Sequence, residues 1–463
     1  MADVQAKFLT GSLFRHITVM SLTSSVGLMA VFIVDLVDML FISMLGKEEL
    51  AAAVGYAGAI LFFTSSFGIG MAIAGGALVA RALGAGDGEL AKRRATNTLI
   101  LGVVFGAAFS AVVWANLAPL AALMGASGET LDLSVGYLAI IIPSLPLLLI
   151  GMVGGAILRA HGDARRSMMA TIAGGAVNAV LDPILIFGLD LELTGAALAS
   201  VAARFAIAGV ALYPLLKSHD ALARPSLPGL SADFAPVVTL AFPAILTQLA
   251  TPVGQAIVTR SMAQFGEEAV AGMAIAARLT PVAFGVIFAL SGAVGPIMGQ
   301  NYGAGDSGRV RKAYREALMF TGIVVGVATI ILFVLRAPIA DMFQAEGLTR
   351  EIVFLFCGPL ALFFFFNGMI FVGNAAFNNL GHPYYSTWIN WGRNTLGTLP
   401  FVWVGASILG AAGVLIGQAL GGVIFAFVSA WLARRLINEA SAEREAEPFQ
   451  REVRTLQLLH HRR

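Results

Sequence analysis

The chain contains 463 residues, of which 58% are hydrophobic and 12% are charged. Soluble globular domains carry about 25% charged residues, so this composition excludes a soluble enzyme, a disordered chain and, with a single cysteine, a disulfide scaffold. The net charge of +2 gives no information about partners, and the composition is that of a polytopic membrane protein.

Apolar stretches long enough to cross a membrane recur along the whole chain. A transmembrane helix needs about 20 largely apolar residues. The first stretch lacks a small-residue cleavage site and is longer than a signal-peptide core, so we expect it to be retained. We predict an all-α integral membrane protein with 12 transmembrane helices, at 17–45, 51–80, 96–124, 133–158, 167–188, 193–216, 235–259, 269–299, 317–335, 352–377, 385–406 and 410–433.

Basic and acidic residues alternate from loop to loop. Most of the 29 Lys and Arg residues lie in the terminal segments and in the loops after even-numbered stretches, whereas the other loops carry mainly Asp and Glu. Because positively charged loops stay inside, both termini are expected in the cytoplasm, as an even number of helices requires. We expect a multi-pass protein of the plasma membrane, which is the inner membrane in a Gram-negative bacterium.

The second half of the chain repeats the first with a shift of about 220 residues. Six stretches in each copy give both copies the same topology, which predicts two six-helix lobes related by a pseudo-two-fold axis along the membrane normal. We predict an N-terminal lobe at 1–225, a C-terminal lobe at 226–435 and a charged cytoplasmic tail at 436–463. Three segment pairs carry the repeat: 44–51 with 264–271, 84–87 with 303–306, and 161–163 with 380–382.

Three carboxylates fall well inside the predicted helices: Asp35, Asp38 and Asp182. A charge at the bilayer centre costs roughly 2.5–3.5 kcal/mol, so such residues rarely persist without a use. Asp35 and Asp38 share one helix face, and Asn178 shares a face with Asp182. The acid chemistry is confined to the first half, because the matching positions of the second half are apolar or small: Val258, Gly397 and Phe401.

Neighbouring carboxylates in an apolar site cannot all remain ionised without a counter-charge. A bound proton or a bound Na⁺ relieves the repulsion, and Asn178 offers a neutral oxygen ligand to a hard cation. If the cation is Na⁺, we expect Asp38, Asn178 and Asp182 to be its ligands. The alternative is a carboxylate hydrogen-bonded at a helix end or exposed in an external vestibule, which is an open interpretation for Asp35. No organic cofactor is expected.

Three basic residues also lie within the predicted helices: Arg204, Arg278 and Arg393. Arg204 could pair with an acid of the first lobe, and a structural ion pair or a snorkelling side chain is the favoured interpretation. The histidines lack zinc-ligand spacing. The sequence contains no phosphate-binding P-loop and no nucleic-acid module, so no nucleic-acid partner is expected.

Several segments together resemble the multidrug and toxic compound extrusion (MATE) family, and its DinF-like branch in particular. They are residues 37–46, residues 158–165 and residues 178–183, accompanied by the paired Gly-Ala-Gly-Asp loops. The match covers nearly the whole chain. Other branches of the family add acids in the seventh and tenth helices, which this chain lacks between 235 and 259 and between 352 and 377.

This resemblance implies a secondary active antiporter, not an enzyme, that exports lipophilic and cationic drugs in exchange for H⁺ or Na⁺ by alternating access. It places the coupling site at Asp38, Asn178 and Asp182, with Ser200 at a sixth-helix hydroxyl position. The implied partners are organic cations and membrane lipids, and the protein is expected to be a monomer. One departure is Thr23, which stands where family members commonly carry a proline, so a proline-centred bend of the first helix is not expected.

Two alternatives remain open. A flippase for a lipid or a polysaccharide precursor could share the two-lobe architecture, but several cations would then line its cavity to hold a pyrophosphate group. An integral membrane enzyme would need a His/Asp or metal-ligand cluster at one interface, which the scattered histidines do not provide.

Overall fold

The structure, a computed structural model, describes the backbone of residues 6–460 and the side chains of residues 6–440 except those at positions 43 and 48. This part of the chain is helical and contains no β-strand. The helices are α1 (Leu13–Met44), α2 (Glu48–Gly84), α3 (Gly88–Ala115), α4 (Leu117–Leu123), α5 (Gly128–Ile141), α6 (Leu145–Ala160), α7 (Ala164–Pro183), α8 (Glu192–Lys217), α9 (Leu227–Ala263), α10 (Glu267–Gly303), α11 (Ser307–Met342), α12 (Gly347–Leu355), α13 (Ala361–Leu380), α14 (Pro383–Asn394) and α15 (Leu399–His460).

Eleven continuous helical stretches of the described residues are long and apolar enough to span a membrane. The last, Pro383–Ala440, has 58 residues and would extend about 87 Å if it were straight. It reverses at Gly410, whose φ of 60° and ψ of −140° are not helical. Beyond this reversal the helix packs against the one before it, and Gly405 and Gly413 lie backbone to backbone where the two meet. The stretch therefore contains two spans, which confirms the twelve predicted helices and their two six-helix lobes.

Proline residues interrupt two of the spans. Pro143 lies in the 3-10 segment Ile142–Ser144, which joins α5 to α6 within the fourth span. Pro359 lies in the π-helical segment Phe356–Leu360 between α12 and α13. Because proline lacks an N–H and clashes with the preceding turn, these breaks are expected where they occur.

The sequence repeat is also a repeat of backbone conformation. Asp87 accepts a hydrogen bond from the Leu90 N–H at 2.9 Å, and Asp306 accepts one from the Arg309 N–H at 2.7 Å. Both aspartates therefore cap the helix that follows them. Glycines with positive φ, a conformation that other residues rarely adopt, occupy matched positions in the two halves: Gly46 and Gly266, Gly86 and Gly305, Gly162 and Gly381.

The two lobes meet closely at the end of the bundle that carries the basic loops, which we call the basic face; it includes residues 85–87, 161–163, 218–226 and 304–306. Helices α2 and α10 cross there without side chains between them. A Cβ atom on Gly84 would lie 1.9 Å from the Gln300 carbonyl oxygen, and one on Gly303 would lie 2.1 Å from the Arg81 carbonyl oxygen. Glycine is required at both positions.

Hydrogen bonds strengthen this contact between the lobes. The Arg81 guanidinium donates to the carbonyl oxygens of Asn378 and Asn379 at 2.6 and 2.7 Å. The Phe8 N–H donates to Gln300 Oε1 at 2.8 Å, which ties the segment before α1 to the second lobe. The lobes are thus closed against each other at the basic face.

Replacement of Gly84 by alanine should destabilise the protein, because the added Cβ forces α2 away from α10; such overpacking costs about 1–3 kcal/mol. Gly58→Ala, on the same helix, is the control, since a Cβ there meets nothing within 4 Å and alanine favours a helix. Thermal unfolding of the detergent-solubilised protein should show a lower midpoint for Gly84→Ala only. Equal midpoints for the two variants would contradict this description of the crossing.

Candidate functional site

Helices α1 and α7 approach each other closely in the first lobe. A Cβ atom on Gly27 would lie 3.3 Å from the Met168 Cα atom, and one on Gly175 would lie 3.0 Å from Val34. Small residues allow membrane helices to approach in this way. The approach brings one turn of α1 that carries Asp38 opposite the end of α7.

The Asn178 amide lies between two carboxyl groups. Its Nδ2 atom donates to Asp38 Oδ1 at 3.0 Å and to Asp182 Oδ2 at 2.5 Å. Asn178 and Asp182 are 4% and 0% exposed, whereas Asp38 is half-buried. The structure therefore brings together the three residues that the sequence analysis grouped, on the two helices where it placed them.

No Lys, Arg or His side chain of the described residues forms an ion pair with these two carboxyl groups. None of the ion pairs formed by the described residues includes Asp38 or Asp182. The Asp182 Oδ1 atom is buried and has no hydrogen-bond partner among the described residues, and the two carboxyl groups are close enough to affect each other electrostatically. A hydrogen bond between carboxyl groups requires a proton on one of them. The arrangement can hold a shared proton or another small cation.

A tyrosine that the sequence analysis did not identify lies beside this site. Tyr137, on α5, lies beside Ser200 on α8, and its hydroxyl group is close enough to both carboxyl groups to interact with them electrostatically. Ser200 is thus near the site on the side of Tyr137, and the structure shows no hydrogen bond from Ser200 to Asp38 or Asp182. Periodicity could not identify Tyr137, because a tyrosine in a transmembrane helix is ordinarily an interfacial anchor.

Asp35 lies outside the hydrogen-bonded group. It is exposed on α1, one turn before Asp38, and within the described part of the chain it has no hydrogen-bond or ion-pair partner. Asp38 is the charged group that acts on it. Asp35 is therefore at the edge of the site, where it can influence the approach of a cation without holding the Asn178 amide.

The basic residues within the spans do not pair with these acids. Arg204 donates to the Ile141 carbonyl oxygen at 3.0 Å and to Ser144 Oγ at 2.9 Å, so its interpretation as a partner of an acid is wrong and its role in packing α8 against α5 is structural. Arg393 donates to Asn367 Oδ1 at 2.6 Å. Arg278 is exposed and has no partner among the described residues.

A further guanidinium group was missed because Arg159 lies just outside the fourth predicted stretch. It donates to Ser167 Oγ at 2.7 Å, and its Nε atom lies 3.7 Å from the position of a Cβ on Gly292, in the second lobe. Arg159 therefore lies where the two lobes meet. Neither Arg159 nor Arg393 has a carboxylate partner in the part of the chain that the structure describes.

One buried acid near a helix end was not singled out by the sequence analysis. Asp233 is 1% exposed near the start of α9, where it accepts hydrogen bonds from Arg93 at 3.1 and 3.2 Å and from Asn97 at 2.7 Å. The helix begins earlier than predicted because Ser226 caps it. Asp233 thus binds α3 to α9 as a paired, structural acid.

The donor set fits a proton more simply than it fits Na⁺. Carboxylate and amide oxygens are suitable ligands for a hard cation, but Asn178 presents its NH₂ group to both acids, so its oxygen is turned away from them. Binding of Na⁺ by all three residues would require the amide to rotate. The described residues contain no group of three or more His, Cys, Asp and Glu side chains that could hold a metal ion.

Comparison with known proteins shows two matches to the MatE family model, at residues 24–184 and 243–404. The two matches are offset by the same spacing as the internal repeat. A protein of Shewanella oneidensis named FAD transporter is 30% identical over 447 residues, covering 94% of this chain and 97% of that protein. The multidrug export protein MepA of Staphylococcus aureus is 26% identical over 353 residues, covering 75% of this chain and 77% of MepA.

Solved structures share the fold. A crystal structure of a MATE mutant superposes with a TM-score of 0.87 at 23% identity, covering 96% of this chain and 99% of that one. A mutant of the Vibrio cholerae MATE transporter VcmN superposes with a TM-score of 0.86 at 25% identity, covering 93% of this chain and 97% of that one. The twelve-helix, two-lobe architecture is therefore that of these structures.

Whether Asp38 and Asp182 share a proton can be tested with dicyclohexylcarbodiimide, an apolar reagent that modifies protonated carboxyl groups. We expect Asp38 or Asp182 to be modified near neutral pH, with less modification as the pH rises, and mass spectrometry of the labelled peptides would locate it. Asp233 is the control, since it is as buried as Asp182 but its charge is balanced by Arg93. Modification of neither site residue, or equal modification of Asp233, would contradict the proton-sharing arrangement.

Proposed function

The chain belongs to the MatE family of membrane transporters and is a transporter rather than an enzyme, and we propose that it is a secondary active antiporter that exports lipophilic and cationic compounds in exchange for H⁺. The observation that supports this most is the pair of carboxyl groups at Asp38 and Asp182, held by Asn178 and without an ion-pair partner in the part of the chain that the structure describes. Such a group changes its charge whenever a proton enters or leaves. Export of drugs is what the name of MepA states for that relative.

In the proposed cycle, a proton from outside enters the site and is shared by Asp38 and Asp182. The proton removes the repulsion between the two carboxylates, so α1 and α7 can pack differently around Asn178, and the change displaces bound drug. The protonated, drug-free protein then opens to the inside, releases its proton there and binds drug again. Drug and proton compete through the same two-state equilibrium, so each weakens binding of the other by the same factor.

Opening to the inside would require the lobes to separate at the basic face, which we propose to be cytoplasmic. The contacts that would break are the hydrogen bonds from Arg81 to the carbonyl oxygens of Asn378 and Asn379 and the one from the Phe8 N–H to Gln300. These bonds join lobe to lobe and are independent of the carboxylate site. Both chain termini would then lie in the cytoplasm, and the protein would lie in the plasma membrane.

Na⁺ is the alternative coupling ion. It would use the same three side chains, with the Asn178 oxygen turned towards the cation. The two ions can be distinguished by the gradient that drives substrate transport. A pH gradient without Na⁺ drives transport by a proton-coupled protein but not by a Na⁺-coupled protein.

A second substrate class is an anionic dinucleotide or another pyrophosphate compound. The relative named FAD transporter is similar over nearly the whole chain. Two guanidinium groups near the interior, Arg159 and Arg393, also lack carboxylate partners among the described residues. Positive groups of this kind suit phosphate oxygens. A lipid-linked pyrophosphate, the substrate of a flippase, presents the same chemistry.

The coupling site is tested in vesicles that contain the purified protein, with a pH gradient or a Na⁺ gradient and a fluorescent lipophilic cation as substrate. We expect a pH gradient to drive transport, and Asp38→Asn and Asp182→Asn to reduce it to the level of protein-free vesicles while remaining folded. Asp35→Asn should have a milder effect.

The matched control is Asp132→Asn, which neutralises an exposed acid on α5 and should leave transport unchanged. Normal gradient-driven transport by Asp38→Asn would contradict the proposed site. Transport that requires Na⁺ and ignores the pH gradient would establish the alternative ion.

The substrate class is tested in the same vesicles with FAD. If an anionic substrate is transported, Arg393→Gln should impair FAD transport more than transport of the lipophilic cation, because the removed charge attracts phosphate. Equal effects on both substrates would assign Arg393 a structural role.

A further inference from the structure

A cavity of about 630 Å³ lies at the basic face, away from the carboxylate site. It is a crevice between the start of α1 and the start of α7, bounded at the basic face by the segment that contains Lys7 and by the loop at residues 161–163. Neither the coupling site nor the contact between the lobes accounts for it.

The crevice runs along the first turns of α1 and α7. Its lining extends on α1 to Thr23, ten residues or about 15 Å of helix after Leu13, and on α7 to Met169, five residues or about 8 Å of helix after Ala164. Farther along α1, Gly27 packs against Met168. Two of the helices that are long and apolar enough to cross a membrane therefore form its walls.

The walls of the crevice are apolar and open outwards. Val19 on α1 and Met169 on α7 are 54% and 49% exposed, and both line it together with the buried Met20. These side chains form a surface on which a hydrocarbon chain can pack. A water-soluble anion would gain nothing from contact with them.

The rim of the crevice is positively charged. Arg165 is exposed and has no partner among the described residues, and the Lys7 ammonium donates one hydrogen bond, to the Gly162 carbonyl oxygen at 2.8 Å. The remaining donors of both side chains are free to bind a ligand. Three histidines also line the cavity: His16, His161 and His219.

Asp163 does not neutralise this rim. Among the described residues that line the cavity, Asp163 is the one that carries a carboxylate. This carboxylate already accepts hydrogen bonds from Arg166 at 3.1 Å and His219 at 3.0 Å. Burial by itself would raise the pKa of Asp163, but the hydrogen bonds from His219 and from the Arg166 backbone, together with the Arg166 charge, lower it. Burial lowers the pKa of His161, which disfavours a charge there. The uncompensated cations are Lys7 and Arg165.

We propose that this crevice binds an anionic phospholipid of the leaflet at the basic face, with its headgroup phosphate at Lys7 and Arg165 and an acyl chain along Val19 and Met169. Basic pockets between transmembrane helices are known to hold anionic headgroups, and here the apolar walls continue directly from the charged rim. A zwitterionic lipid would satisfy the walls but not the uncompensated charge. Because binding of the lipid does not depend on transport, this proposal stands or fails separately from the proposed function.

The test counts lipids bound to the purified, delipidated full-length protein by native mass spectrometry. Phosphatidylglycerol or phosphatidylcholine is added in detergent, and inorganic phosphate is added in a third arm. We expect one tightly bound phosphatidylglycerol, weaker binding of phosphatidylcholine and no competition from inorganic phosphate. Arg165→Gln should weaken phosphatidylglycerol binding about fivefold, the effect of one cation near an anionic headgroup.

Two matched controls distinguish the crevice from the general charge of the basic face. Arg15→Gln removes one positive charge from an exposed position on α1 that does not line the crevice, and it should leave binding unchanged. Met169→Trp should fill the crevice and reduce lipid binding, whereas Met319→Trp changes a methionine of similar exposure on α11 and should not.

Equal binding of the two lipids, or equal losses in Arg165→Gln and Arg15→Gln, would overturn the proposal. Displacement of phosphatidylglycerol by inorganic phosphate would also overturn it, because the site would then recognise the phosphate alone. Unchanged binding in Met169→Trp would show that the acyl chain lies elsewhere.

Discussion

Two carboxyl groups held by one amide, without an ion-pair partner among the described residues, are the constraint on which the rest of this account depends. The hydrogen bonds from Asn178 fix the relative position of Asp38 on α1 and Asp182 on α7. An apolar environment makes the doubly ionised state costly. We therefore propose that the packing of the two helices is linked to whether a proton is present, so that a change of one charge becomes a change of helix arrangement.

The scaffold that carries this site is symmetric, whereas the chemistry is not. Matched glycine turns and aspartate caps build two similar lobes, and the glycines Gly84 and Gly303 let the lobes meet backbone to backbone. The acids of the candidate site lie in the first lobe alone, since Val258, Gly397 and Phe401 occupy the matching positions of the second. In the proposed cycle, such a division would let one lobe respond to the cation while the other provides the surface against which it moves.

The helices and the two-lobe arrangement could be predicted from the sequence, because hydropathy and internal repeats depend on the order of residues along the chain. Helix length, the repeat and the facing of Asn178 and Asp182 depend on residue spacing along one helix. Tyr137 and Arg159 were missed since their significance comes from neighbours on other helices, and the start of α9 was misplaced by several residues, which left Asp233 outside the predicted span. The partner of Arg204 was wrong for the same reason: it is a carbonyl oxygen of α5, a backbone group that no sequence motif marks.

The most direct test of the central claim is a measurement of protons released when substrate binds. A fluorescent lipophilic cation would be added to the detergent-solubilised protein in weakly buffered solution with a pH indicator, together with the double variant Asp38→Asn and Asp182→Asn. The account predicts that the wild-type protein releases protons as it binds the cation and that the double variant releases none. Binding of the cation by the wild-type protein without proton release, or equal release by the double variant, would contradict it.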